Sequence, residues 1–61
     1  MPYVNIKTAG RLSTEQKKEI AIRVTDALNE IAQKKPESTY VVFEEIDREN
    51  WAAGGKLLSE K

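Results

Sequence analysis

Residue 2 is a proline, directly after Met1. Removal of Met1 would turn its nitrogen from a tertiary amide into a free secondary amine. An α-amino group has a reference pKa of about 7.7 to 8.0, and burial or a nearby cation lowers it. A proline nitrogen kept neutral near pH 7 can act as a general base or as a nucleophile. A structural reading competes with this one. Proline suits the first position of a strand, where it need not donate to the ladder. On the dipeptide alone both readings stand.

The rest of the chain offers little other chemistry. It contains no Cys and no His, which removes disulfides, thiolate ligands, nucleophile–imidazole pairs and imidazole acid–base work. Carboxylates alone make poor zinc sites, so no metal is expected. The only glycines are Gly10, Gly54 and Gly55, and no phosphate-cradling or dinucleotide loop can be built from them. No cofactor is expected. Ser38 and Ser59 have no partner base, and Ser13 reads as a helix cap. Glu44 and Glu45 are adjacent in a strand and point to opposite faces, so they cannot act as a carboxylate pair within one chain. At least one of them should face solvent or pair with a basic group. Trp51, the single tryptophan, reads as an interface or core anchor.

Three elements must carry these residues. PYVNIK alternates, with Pro2, Val4 and Ile6 on one face and Tyr3, Asn5 and Lys7 on the other, which predicts a first strand over residues 2–8. Gly10 is the turn residue. Ser13 with Gln16 forms a capping box. Ile20, Val24, Ala27, Leu28 and Ile31 then fall on one helical stripe, predicting a helix from Thr14 to Lys34 that Pro36 cannot continue. Glu19–Arg23 and Glu30–Lys34 are favourable i, i+4 pairs, and Lys34 and Lys35 suit the negative end of the helix dipole. STYVVFEEI is a second strand, and its run Val41-Val42-Phe43 suggests burial on both faces. The tail, with Gly54-Gly55 as a turn and Trp51, Leu57 and Leu58 around it, reads as a small hairpin or arm packing on another subunit.

The fold class is therefore α/β. A single βαβ unit with two parallel strands, one long helix and a C-terminal hairpin or arm forms one domain over residues 1–61. One helix covers one face of such a sheet and leaves the other face and both edges open. A chain of this size buries only about 60% of its unfolded surface, and small domains without disulfide or metal lean on partner subunits. A homo-oligomer is expected, formed by joining sheets or stacking their bare faces. Ten basic residues balance ten acidic ones, which disfavours nucleic-acid binding. No signal-peptide pattern and no membrane-length apolar run is present, so a soluble cytoplasmic protein is expected.

Read together, the proline after Met1, the βαβ unit, the STEQK helix start and the WAAGGKLLSEK tail resemble the 4-oxalocrotonate tautomerase family. The pieces fall in register over essentially all 61 residues. The resemblance implies an isomerase that moves a proton in enol or unsaturated keto acids, with the amino-terminal proline as base; the matching position is Pro2. It implies no cofactor or metal. It implies a homo-hexamer, a trimer of dimers, whose active sites draw on more than one subunit.

The resemblance also points to two substrate-binding arginines and an active-site aromatic. In gapless register the first arginine position is Leu12, with Arg11 one place earlier; a one-residue shift in the glycine-containing loop could deliver Arg11 to the site, or equally leave it pointing into solvent as an ordinary surface arginine. The second position is Tyr40, whose phenol can donate a hydrogen bond but brings neither charge nor a bidentate fork. A monocarboxylate keto acid or an aryl-pyruvate-like enol therefore fits better than a dicarboxylate. Trp51 matches the aromatic, which is usually Phe, and would wall the pocket. Two rivals stay open: a Pro2-dependent hydratase, dehalogenase or decarboxylase, and a non-catalytic assembly module if Met1 is retained.

Overall fold

The structure is a computed structural model that describes residues 1–60; Lys61, the last residue of the expected arm, lies outside them. Its order is β1 (Tyr3–Ala9), α1 (Thr14–Ala32), β2 (Tyr40–Ile46), then a short hairpin of β3 (Ala52–Ala53) and β4 (Lys56–Leu57). Strands β1 and β2 pair in parallel from Tyr3↔Tyr40 to Ala9↔Ile46, and β3 and β4 pair antiparallel. The expected βαβ unit with a carboxyl-terminal arm is the observed architecture. Single 3₁₀ turns precede β2, follow it and close the chain, at Pro36–Ser38, Arg48–Asn50 and Leu58–Glu60.

Local sequence accounts for the boundaries. The Ser13 hydroxyl accepts from the Gln16 amide at 3.1 Å, and the Ser13 amide donates to Gln16 Oε1 at 2.8 Å. The capping box thus satisfies two of the amides left over at a helix start. Glu19 and Arg23 form their pair at 2.8 Å, on the open side of the helix.

The other end differs from expectation. The helix stops at Ala32, not Lys34, because Gln33 turns left-handed at φ 55°. Its amide donates to Asn29 C=O and the Lys34 amide to Leu28 C=O, so backbone groups close the helix. Lys34 and Lys35 lie past the last turn, and Glu30 and Lys34 are not a helical pair. The first strand begins one residue later than expected, at Tyr3. The second begins at Tyr40, since the residues before it form the Pro36–Ser38 turn.

Helix α1 covers one face of the sheet. Along β1 and β2 half-buried and exposed residues alternate, with Val4, Ile6, Val41 and Phe43 under the helix and Tyr3, Asn5, Tyr40 and Val42 outside. Val42 is 39% exposed, so the apolar run of β2 is covered on one face only within this chain. Ile31, expected on the buried stripe, is 80% exposed. Ala27, expected on the same stripe, is exposed as well.

No side chain among the described residues is fully buried. The chain exposes 4793 Å², where a compact protein of its mass exposes about 4,000 Å². Its radius of gyration is 14.6 Å, against about 10.5 Å for a compact chain of this length. The surplus surface is close to one partner's share of a standard interface, about 800 Å². Two outcomes follow. Sedimentation at micromolar concentration should show no folded monomer; a stable monomer would undo the account of an incomplete protomer. Ser13→Ala should lower unfolding stability by about 1 kcal/mol, read from denaturant melts.

Candidate active site

The candidate residues fall at two ends of the sheet. Pro2 immediately precedes β1, and its carbonyl accepts from the Tyr40 amide at 2.9 Å. This bond extends the ladder by one rung and holds Pro2 beside the start of β2. Pro2 is half-buried. Tyr3 and Tyr40 are direct cross-strand partners on the bare side. With Met1 and Val42 they line an open, apolar cavity of about 330 Å³. Tyr3, Val42 and Met1 were not singled out from the sequence. The alternation that puts Tyr3 on the open face was legible, but its pairing with Tyr40 needed the register.

Arg11 lies at the opposite end, beyond β1. The strand alone separates it from Pro2 by about 23 Å, so one chain cannot bring the two together. Gly10, at φ 104°, turns the chain out of the strand, and its amide donates to Ile46 C=O at 2.8 Å. The Leu12 amide donates to Glu45 Oε2 at 2.8 Å, and Lys17 Nζ bonds Glu45 Oε1 at the same distance. Arg11 itself is exposed, and among the described residues it takes part in no ion pair.

Trp51 belongs to the base of the arm. Its carbonyl accepts from the Leu58 amide at 2.9 Å, its amide reaches Arg48 C=O at 3.3 Å, and its indole Nε1 is enclosed without a partner. An enclosed N–H with no acceptor is costly, which makes Trp51 a place where a rearrangement or an added acceptor would be favoured. Trp51 follows the end of β2, whereas Pro2 precedes the start of β1, and the two parallel strands begin at the same end of the sheet.

The two adjacent glutamates point to opposite faces, as strand geometry requires. Glu44 is on the bare side, accepting from Asn5 Nδ2 at 2.7 Å. Glu45 is on the helix side and pairs with Lys17. The hydrogen bond from Lys17, the bond from the Leu12 amide and the nearby positive charges hold the Glu45 carboxyl below its ordinary value of 4.5. Among the described residues no three His, Cys, Asp or Glu side chains gather as a metal site, and no helix is long and apolar enough to cross a membrane.

The family model described as "Tautomerase enzyme" matches residues 2–61. This chain belongs to the tautomerase family. A Bacillus cereus protein named "Probable tautomerase" is 41% identical over 61 residues, covering all of both chains. Among solved structures, YwhB, a homologue of 4-oxalocrotonate tautomerase, superposes with a TM-score of 0.90 at 33% identity, covering 98% of each chain. A heterohexamer 4-oxalocrotonate tautomerase from Chloroflexus aurantiacus superposes at 0.87 with 25% identity, covering 98% of this chain and 97% of that one.

In this tautomerase-family chain Glu45 was legible in the sequence only as one of two oppositely directed carboxylates. Its tether to the Arg11 loop required the tertiary structure. The tether has a pH signature. Because the folded carboxyl titrates below 4.5, its contribution to stability is complete at neutral pH. It declines as pH falls below the ordinary carboxylate value and is gone once pH drops through the lowered one. The melting-temperature difference between the wild-type chain and Glu45→Gln should therefore be largest near neutral pH and shrink toward zero in acid. A difference independent of pH would contradict the tether.

Proposed function

We propose that the chain is a cofactor-independent tautomerase that works as a cytoplasmic homo-hexamer and moves a proton in enol or unsaturated keto acids. Pro2 is the general base once Met1 is removed. One observation supports this most: the match to the tautomerase family begins at residue 2, on the proline itself. The Tyr40 amide holds Pro2 at 2.9 Å through the carbonyl, which leaves the nitrogen free of ladder duties.

The reaction conserves all atoms. The neutral Pro2 nitrogen takes a proton from the enol oxygen or an α-carbon. Negative charge then develops on the substrate oxygen. The prolinium returns the proton to a different carbon, and the base is regenerated. Arg11 of a neighbouring subunit stabilises the developing charge and the carboxylate. The separation of Pro2 from Arg11 along β1 supports a site shared between subunits. Tyr40 donates a hydrogen bond to a substrate oxygen, and Trp51 walls the pocket and excludes water. Because Tyr40 brings no charge and no bidentate fork where the family resemblance places a second arginine, a monocarboxylate or aryl-bearing enol suits the site better than a dicarboxylate. Assembly as a hexamer is supported by the bare sheet face and by the hexameric Chloroflexus relative.

Intact mass spectrometry of natively produced protein should show Met1 removed; Met1 retained on every chain would end this mechanism. Pro2→Ala should lower turnover of phenylenolpyruvate about a hundredfold or more while the oligomer persists. Unchanged turnover would exclude Pro2 as the base. Arg11→Ala should lower kcat/KM about tenfold or more. The exposed strand residue serves as control through Lys7→Ala, and equal small effects of the two would return Arg11 to the surface.

A further inference from the structure

The loop that carries Arg11 is gripped on both sides of that residue. Before it, the Gly10 amide is bonded to Ile46 C=O at 2.8 Å. After it, the Leu12 amide is bonded to Glu45 Oε2, also at 2.8 Å. Both anchors belong to the last two residues of β2. The first is backbone to backbone and tolerates any side chain. The second depends on one carboxylate reaching across from the neighbouring strand.

That carboxylate is itself constrained. Lys17, one turn into α1, takes Oε1 at 2.8 Å, and the side chain of Glu45 is only 19% exposed. Each oxygen therefore has a donor, and the negative charge is answered by Lys17. This matters because Arg11 is close enough to interact with the same carboxylate electrostatically. An unsatisfied carboxylate there would compete with substrate for the guanidinium. With both oxygens engaged, Glu45 can hold the backbone of the loop without taking the Arg11 side chain out of use.

We propose that Glu45 is the positioning residue for Arg11, fixing through the Leu12 amide the backbone from which Arg11 reaches substrate, with Lys17 holding the carboxylate in place. The proposal rests on Arg11 being the substrate-binding cation of the reading above. A long arginine side chain on a loose loop loses entropy when it orders on a ligand, and a gripped loop has less to lose. The effect of Glu45 should therefore appear in the binding of the anionic substrate and should act only through Arg11.

The test is a double-mutant cycle in the assembled enzyme with phenylenolpyruvate as the probe. Glu45→Ala should raise KM about tenfold with a smaller change in kcat, and Arg11→Ala should do at least as much. The double variant should be no worse than Arg11→Ala alone. Glu45→Gln keeps an acceptor for the Leu12 amide and should recover most of the loss. Lys17→Met leaves that amide bond in place and should cost less than Glu45→Ala. Amide hydrogen exchange should show Leu12 protected in the wild-type chain and in Glu45→Gln, and exposed in Glu45→Ala. Sedimentation of each variant confirms that the oligomer persists. Additive losses in the double variant, a Glu45→Gln variant as impaired as Glu45→Ala, or an unprotected wild-type Leu12 amide would overturn the positioning role while leaving Arg11 as the cation. An Arg11→Ala variant with wild-type kinetics would overturn the reading of Arg11 and the inference with it. If Glu45→Ala does not assemble, the Glu45→Gln kinetics and exchange decide alone.

Discussion

One helix lies on one face of a two-stranded sheet, and everything else in the molecule answers to that imbalance. Two strands and one helix offer little interior, and none of the described residues is fully buried. The helix-side residues Val4, Ile6, Val41 and Phe43 reach only partial burial, while Tyr3, Tyr40 and Val42 stay on the uncovered face. Burial of apolar surface is the main favourable term in folding. This chain leaves much of that surface open, with Tyr3 64%, Tyr40 55% and Val42 39% exposed.

The same imbalance divides the chemistry. A parallel βαβ unit sends the start of both strands to one end and the loop after β1 to the other. Pro2 and Tyr40 are therefore neighbours by register, and Arg11 is a strand's length away. No change of rotamer spans that gap. In the assembly proposed above, the contacts that cover the bare face would also bring the two ends of the sheet together.

Within one chain, several polar groups are satisfied locally. The box of Ser13 and Gln16 closes the helix start, and Glu45 joins β2 to both the preceding loop and α1. These bonds surround Arg11 without using it. Among the described residues Trp51 differs, with an enclosed indole N–H that has no acceptor. It sits in the arm, the part of the chain least attached to the βαβ unit.

Much of this was legible in the residues because it depends on near neighbours. Alternation in PYVNIK, the Ser13–Gln16 spacing and the Glu19–Arg23 pair are short-range patterns, and each produced the element or contact it implied. Subtraction of His and Cys narrowed the chemistry to Pro2, and the whole-chain resemblance to a tautomerase agrees with the family match. The helix end was misplaced because a left-handed Gln33 carries no strong side-chain signal. The two-sided burial read from Val41-Val42-Phe43 is not found, because α1 covers only one face of the sheet and Val42 lies on the other, 39% exposed. Only the tertiary structure decided that Glu45 grips the Arg11 loop, that Tyr3 faces Tyr40, and that Pro2 and Arg11 lie at opposite ends. Those facts join residues far apart in sequence, and such pairings are set by strand register and crossover, which no local spacing encodes.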